Sequence, residues 1–226
     1  MTVGVGLGGR GVMGFGLGRG RAGGADVSWW LAGGISAANA IAAYQPKGAA
    51  SLAASYVNLA NPGTYDAAPG VAPTWASGTG WTFNGTTQYL TSGVTPATNY
   101  TIAVRYANLT ADDWLIGAHD WIGGGLFGID VASWGGRYYN TNSIFDGVYT
   151  AATKILAWDV GYTNGATVGT VASPGPAPAF PLFIGARNAR GAPDLHVGAD
   201  VLAVAIYDNK LGAAQAAAVS AAMAAL

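Results

Sequence analysis

The sequence predicts an all-β fold in which two antiparallel sheets pack face to face as a sandwich. From Tyr44 onward the chain of 226 residues consists of short runs rich in valine, isoleucine, threonine and aromatic residues, separated by turn residues at 61–63, 84–85 and 174–181. The connections between these runs are too short for helical crossovers, so the strands are expected to pair antiparallel. An extended glycine-rich arm is predicted before the sandwich, and a short helix after it.

The predicted arm is the leader, which alternates with period two and holds 11 glycines in its first 24 residues. Successive side chains of an extended chain point to opposite faces, so the leader would present an apolar stripe on one side and bare backbone on the other. Bare backbone allows close approach by another chain. We therefore predict that residues 1–25 anchor the protein against neighbouring subunits; the alternative is a disordered low-complexity tail. The side chains predicted to make the assembly contacts are Val3, Val5, Leu7, Phe15, Leu17, Arg19 and Arg21.

Composition narrows the class of protein. Hydrophobic residues make up 51% of the chain and charged residues only 9%, against about 25% charged in ordinary domains, which favours burial in an assembly. The net charge of -1 does not indicate the basic surface that nucleic-acid-binding proteins carry. Apolar runs are too short for a membrane helix. Glycine interrupts the apolar runs of the leader, so no signal peptide is predicted and the chain is expected to stay on the cytoplasmic side until it is assembled.

The acidic residues argue against an enzyme. All eleven are aspartates, and the chain has neither glutamate nor cysteine. The chain therefore cannot use a mechanism that needs a glutamate as acid or base. It also cannot form disulfides or thiolate metal sites. We predict a protein without catalytic residues, cofactor or metal.

Local sequence patterns predict where the strands and helices lie. Residues 26–43 contain a glycine-broken apolar run and are predicted to be a docking segment or short helix, and residues 44–226 the sandwich. Runs at 81–83 and 88–90 flank an Asn-Gly pair, which predicts a hairpin with a tight turn. An alanine-rich segment predicts a helix over 213–226. Further strands are predicted at 100–106, 115–118, 126–131, 137–139, 144–149, 154–162, 180–187 and 196–207.

Two segments carry a family resemblance. FIGARN followed by ADVLAVAIYDNKLGAAQAAAVSAAM, together with the earlier GWTFNGTTQYL, resembles the concanavalin A-like lectin/glucanase superfamily in its laminin-G-like branch. The resemblance implies a two-sheet jelly roll. Glucanases of the superfamily use a Glu-x-Asp-x-x-Glu strand that this chain cannot supply, so the resemblance points away from hydrolysis.

The layout of glycine-rich leader and lectin-like sandwich also resembles virion proteins of tailed bacteriophages. This resemblance implies a non-enzymatic structural protein, either a head decoration or a tail-associated protein, held in the virion by its leader. The expected partners are copies of itself and other virion proteins. No nucleic acid and no membrane insertion are expected.

The alternative function is a lectin-like module that attaches to a cell-surface glycan. Aromatic side chains beside polar donors suit stacking against sugar rings, and such residues cluster in a glycine-rich stretch that could form loops. The same rings could instead fill the core or a subunit contact. A hard cation held by Asp112, Asp113, His119 and Asp120 is a weaker possibility. The candidate carbohydrate-binding residues are Trp114, His119, Asp120, Trp121, Trp134, Arg137, Tyr138 and Tyr139.

Overall fold

The computed structural model of the chain describes residues 1, 2, 4, 28–132 and 135–226. The predicted assembly side chains of the leader, from Val3 to Arg21, lie outside the described residues, as does Trp134 of the predicted glycan site. The predictions that depend on them stay predictions.

The described residues form two sheets, which confirms the predicted all-β class. In chain order the strands are β1 (Ala40–Tyr44), β2 (Ala68–Val71), β3 (Thr74–Ala76), β4 (Gly80–Thr82), β5 (Tyr89–Thr91), β6 (Thr101–Ala111), β7 (Asp113–Asp120), β8 (Gly125–Ala132), β9 (Gly135–Asn140), β10 (Asn142–Phe145), β11 (Ala152–Ala157), β12 (Val160–Thr163), β13 (Ala166–Thr170), β14 (Phe183–Ile184), β15 (Arg187–Ala189), β16 (Ala192–Asp194) and β17 (Gly198–Tyr207). The helices are α1 (Leu52–Ser55) and α2 (Ala213–Ala224), and two 3-10 turns cover Trp29–Leu31 and Ala37–Asn39.

Sheet A has the strand order β13-β12-β11-β6-β17-β4-β3, and β1 also pairs with β17. Sheet B has the order β10-β9-β8-β7-β14-β5-β2, with β15 beside β7 and β16 beside β15. The pairings are antiparallel except that of β15 with β7, which is parallel. The expectation of purely antiparallel strands was wrong at this point, because the argument from short connections holds only for strands that follow one another in sequence.

The core lies between the two sheets and is rich in buried aromatic rings, among them Trp81, Tyr106 and Phe127. An ion pair crosses this core. Lys154 on β11 of sheet A places its Nζ 2.5 Å from Oδ2 of Asp146, which follows β10 of sheet B, and both side chains are almost fully buried. Burial lowers the pKa of Lys154, and the hydrogen bond and charge of Asp146 oppose that change.

The outer face of sheet A is covered by helix. A second apolar cluster joins Ala216, Val219 and Met223 of α2 to Trp29 of the first 3-10 turn and to small side chains of sheet A such as Ala205. The predicted C-terminal helix is confirmed. In the predicted docking segment the structure has the two 3-10 turns, followed by β1, which begins at Ala40 and pairs with β17.

The predicted hairpin around Asn84 was wrong. Its two strands exist, but β4 pairs with β3 and β17 in sheet A, whereas β5 pairs with β2 and β14 in sheet B. The Asn84 carboxamide oxygen accepts from the backbone N–H groups of Thr86, Thr87 and Gln88. This side-chain turn carries the chain from one sheet to the other, where a tight hairpin would have kept it in one sheet.

Two other predicted strands are interrupted by turns. The predicted strand 154–162 divides into β11 and β12 at Trp158, whose φ is +55°. The predicted strand 180–187 contains β14 and ends at the first residue of β15, because the chain turns at Gly185, whose φ is +85°. That turn brings β15 back along β7 and creates the parallel pairing.

Candidate functional site

The outer face of sheet B carries a row of planar side chains in contact with one another. Strand alternation places Trp114 of β7 and Tyr139 of β9 on this face, and their rings stack with centroids 4.8 Å apart and planes 19° from parallel. The Arg187 guanidinium carbon lies 5.4 Å from the Trp114 ring and 5.5 Å from the Trp121 ring. At the other end the Arg137 guanidinium lies 5.5 Å from the Tyr139 ring. We call these five side chains the aromatic-arginine stack.

Two glycines explain why the Trp114 indole lies against the sheet. Arg187, Gly117, Gly128 and Tyr139 are neighbours in register across β15, β7, β8 and β9. A Cβ at Gly117 or Gly128 would lie 2.5 Å from carbon atoms of the indole, which is inside van der Waals contact. The glycines therefore form a trough, and the indole fills it until only 3% of Trp114 is exposed.

The Arg137 end of the stack is fixed by a buried carboxylate. Asp130 faces Arg137 directly across β8 and β9. The Arg137 Nε donates to Asp130 Oδ1 at 3.0 Å, its Nη2 lies 2.6 Å from Oδ2, and the Tyr139 hydroxyl donates to Oδ2 at 3.3 Å. Burial raises the pKa of the Asp130 carboxyl, and the hydrogen bonds from Arg137 and Tyr139 oppose that rise. The two donors thereby stabilise the charged form of a side chain that is only 1% exposed.

The other end is fixed in the same way. Arg187 faces Asp194 across β15 and β16 and donates from Nε at 2.9 Å and from Nη2 at 2.7 Å to the two carboxylate oxygens. A bidentate pair holds the plane of the guanidinium in one orientation. Arg187 is therefore held between the two indoles of Trp114 and Trp121.

A further carboxylate, Asp113, lies near these two ion pairs. Desolvation, followed by the charge of Asp130, raises the pKa of Asp113 to about 6. Arg187 and Arg137 lower it and Asp194 raises it, but these contributions are smaller than that of burial. The face thus contains a carboxyl group that changes charge near neutral pH.

The turn between β7 and β8 exposes apolar side chains beside the stack. Asp120 Oδ1 accepts from the N–H groups of Ile122 at 3.2 Å and Gly123 at 3.1 Å, which shapes the turn. Trp121 is 53% exposed and Ile122 is 79% exposed. The His119 ring packs edge-on against Trp121 at 4.7 Å, and its pKa is lowered by burial and then by Arg187. Trp121 is therefore the ring of the stack that is most open to a ligand.

The structure brings together most of the predicted glycan-binding residues but on strands, not on loops. Trp114, His119, Asp120, Arg137 and Tyr139 lie on β7 and β9. Of the described candidates on this face, only Trp121 lies in the turn after β7. The inclusion of Tyr138 was wrong. Its side chain points to the opposite face of β9, where it is fully buried and its hydroxyl donates to the carbonyl of Tyr162 at 2.8 Å.

Sequence reasoning missed three groups of this face: Asp130, Arg187 and Asp194. Alternation along β8 could have placed Asp130 on the same face as Arg137 and Tyr139. Arg187 belongs to a segment that the sequence analysis interpreted only as a packed strand. No sequence pattern indicates that β15 lies beside β7.

The predicted weaker possibility of a cation site is not supported by the geometry. Asp113 and Asp120 are the first and last residues of β7, so their backbones lie roughly 20 Å apart at the usual rise of a strand. Among residues 28–132 and 135–226 there is no group of three or more His, Cys, Asp or Glu side chains arranged to hold a metal ion. Within the same part of the chain, no helix is long and apolar enough to cross a membrane.

Solved structures share the fold. Domain 4 of AbnA, a GH43 extracellular arabinanase from Geobacillus stearothermophilus in complex with arabinotriose, aligns with a TM-score of 0.56 and 16% identity over 80% of this chain and 98% of that domain. Trypanosoma rangeli sialidase in complex with 2,3-difluorosialic acid aligns with a TM-score of 0.55 and 15% identity over 81% of this chain. The match covers 32% of the sialidase, so this chain corresponds to about a third of that protein.

These comparisons establish the fold, a β-sandwich of jelly-roll type. At such identities they show the fold alone. No protein-family model matches the sequence, and no curated protein matches it.

Proposed function

We propose that this protein is a carbohydrate-binding module that contacts a glycan through the outer face of sheet B and does not cleave it. The observation that carries the proposal is the aromatic-arginine stack, which lies on a sheet face and ends at the exposed ring of Trp121. The pyranose or furanose rings of glycans present C–H groups on one face and hydroxyls around the edge. The exposed Trp121 ring can contact the C–H face of a sugar, and the polar groups of the stack beside it can reach the hydroxyls.

The rigidity of the stack supports a binding role. Arg137 and Arg187 are each held by two contacts to a carboxylate, and the Trp114 ring lies in a trough of two glycines. Side chains already fixed in place lose little entropy when a ligand binds. The Arg187–Asp194 pair is partly exposed. Exposed ion pairs contribute only about 0 to 1 kcal/mol to stability, so this pair is better explained by positioning than by stability.

The shared fold is consistent with this proposal. The similar domain of the arabinanase was solved with arabinotriose bound. No residue of that domain is carried over to this chain, and the proposal depends on the stack itself.

The burial and ion pairing of the aspartates on this face favour binding without cleavage. Glycoside hydrolysis generally uses two carboxyl groups on either side of the scissile bond. Asp130 is 1% exposed and is occupied by Arg137 and Tyr139, so it is poorly placed to attack a sugar or activate water. Asp194 is engaged at both oxygens by Arg187.

A second proposal is compatible with the first. The charged fraction of only 9% favours a subunit of a larger assembly, and the leader, outside the described residues, is proposed as its anchor in a virion of a tailed bacteriophage. The module would then face outward and contact the host surface. Particle mass by light scattering, measured for the full chain and for a variant lacking residues 2–24, tests this role: a large particle that falls to monomers supports it, and monomers in both cases contradict it.

The glycan proposal is tested on an array of immobilised neutral and acidic oligosaccharides. The wild-type protein is compared with Trp121→Ala and with the control Tyr65→Ala, which removes a similarly exposed ring, at 46%, between α1 and β2. We expect the wild type and the control to bind the same glycans and Trp121→Ala to bind them at least about tenfold more weakly, as for an exposed aromatic anchor. An array without any bound glycan would overturn the proposal, as would unchanged binding by Trp121→Ala.

A further inference from the structure

The charges of the sheet B face are balanced within the face itself. Arg137 is paired with Asp130 through Nε and Nη2, and Arg187 is paired with Asp194 through both carboxylate oxygens. Each of these two guanidinium groups therefore has its strongest donor directions occupied. A carboxylate on a ligand would have to displace an aspartate to obtain a bidentate contact.

Displacement would be unfavourable at both positions. Asp130 is 1% exposed, so removing Arg137 from it would leave a buried charge without its cation. Asp194 is 36% exposed, but moving Arg187 toward a ligand would also take its guanidinium out from between Trp114 and Trp121. Both arginines serve the stack as planar groups and not as free cations.

The other described charged groups near the stack supply little free positive charge. Arg190 lies 3.6 Å from Asp120, and its guanidinium carbon is 5.8 Å from the Phe180 ring. Burial lowers the pKa of His119 and of His196, which favours their neutral forms. Counting only described residues, Asp113 is a fourth carboxylate beside three guanidinium groups, so its ionisation leaves one net negative charge around the stack.

We infer that this face selects neutral glycans and rejects glycans that carry a carboxylate, such as those with sialic or uronic acid residues. The inference rests on the proposed glycan-binding function and adds the chemical class of the ligand. The selectivity would arise from the pairing of Arg137, Arg187 and Arg190 with aspartates, together with the additional negative charge of Asp113. Among the described residues, a sugar carboxylate would meet the like charge of Asp113 and guanidinium groups that are already paired with aspartates, whereas neutral hydroxyls can donate to the aspartates.

The experiment uses pairs of related probes, one neutral and one acidic. Oligomers of galacturonic acid are compared with their methyl esters, and lactose with 3′-sialyllactose, all immobilised on one array at pH 7.5 with the wild-type full chain. Neutral members of the pairs, and other neutral oligosaccharides, are expected to bind at least about tenfold more tightly than the acidic members. Equal or tighter binding of the acidic members would overturn the inference while leaving the glycan-binding proposal intact. An array without any bound glycan would overturn the glycan-binding proposal, and the inference with it.

The variant Asp113→Asn tests the electrostatic cause. It removes one negative charge from a half-buried position, so discrimination against the acidic probe at pH 7.5 should fall by up to about fivefold, the limit for a unit charge roughly 4 Å away in water. Lowering the pH to 5 should produce a similar fall in the wild type, because Asp113 becomes protonated, and a smaller fall in the variant. His119 and His196 also lie beside the stack and gain charge at low pH. The variant retains both contributions, so the difference between the two proteins isolates Asp113. Unchanged discrimination in Asp113→Asn, with an unchanged melting temperature, would contradict this role of Asp113.

Discussion

The two outer faces of the sandwich are built in opposite ways. On sheet A, small side chains such as Ala43, Ala203 and Ala205 allow α2 to approach closely, and Val219 and Met223 of the helix are buried against them. On sheet B, the contacts are instead made by the stacked rings and guanidinium groups of the sheet itself. One face is closed by apolar packing, and the other presents rigid polar and aromatic side chains.

The difference separates stability from binding. Apolar burial of the kind seen on sheet A is the main favourable contribution to folding, and it needs no charged groups. Sheet B uses three arginines, four aspartates and an exposed indole where apolar packing would have stabilised the fold more simply. The proposed glycan ligand, which would use an exposed ring and fixed hydrogen-bonding groups, would account for this difference.

The largest effect on stability is expected at the base of the stack. Trp114→Ala removes a ring that is only 3% exposed and empties the trough over Gly117 and Gly128. The free energy of unfolding should fall by about 3 to 5 kcal/mol, as for other buried aromatic residues, and this can be measured by urea denaturation. A loss below about 1 kcal/mol would mean that the ring is not packed as described.

A comparable loss on the other face should leave binding intact. Met223→Ala removes a side chain that is 1% exposed between α2 and sheet A, and about 2 to 5 kcal/mol of stability should be lost. Glycan affinity, measured by titration calorimetry well below the melting temperature, should stay within about twofold of the wild type. A large fall in affinity with the protein still folded would show that the two faces are coupled.

The variant Gly128→Ala tests the trough by adding a single methyl group to it. In Gly128→Ala the new Cβ would lie 2.5 Å from the Ile116 carbonyl oxygen and from the Trp114 ring. We expect a loss of about 1 to 3 kcal/mol from overpacking, accompanied by weaker glycan binding as the ring is lifted. Gly78→Ala is the matched control, because a Cβ there meets nothing within 4 Å, and it should change neither property.

The smallest effect concerns pH. The pKa of Asp113 is raised to about 6 from an ordinary value of 3.8, so the folded chain binds this proton more tightly than the unfolded chain does. The resulting contribution to stability is present below about pH 4 and is lost as the pH rises through 6. Thermal melts at several pH values should therefore show that Asp113→Asn gains stability relative to the wild type above pH 6. A difference between the two proteins that does not change between pH 4 and 7 would contradict the raised pKa.

The sequence predicted the sandwich and the C-terminal helix because those depend on local patterns. Alternation along 126–131 and the alanine content of 213–226 each signal one element without reference to the rest of the chain. The hairpin around Asn84 was predicted wrongly because an Asn-Gly pair marks a turn but does not say whether the two strands that it joins share a sheet.

The site was only partly predictable for a similar reason. Composition alone grouped Trp114, Trp121, Arg137 and Tyr139, but it also included Tyr138, which strand alternation turns into the core. The pairing of Arg187 with Trp114 depends on the parallel approach of β15 to β7. Contacts between strands so far apart in sequence are set by the tertiary fold, which local periodicity does not encode.

The most direct test compares one tryptophan from each face. Indole N–H resonances are recorded by NMR while an oligosaccharide bound on the array is added, with the signals assigned through single Trp→Phe variants. Our account predicts that the Trp121 resonance on sheet B shifts in proportion to the bound fraction, while the Trp29 resonance beneath the helix on sheet A stays in place. A shift at Trp29 without one at Trp121 would contradict the assignment of glycan binding to the outer face of sheet B.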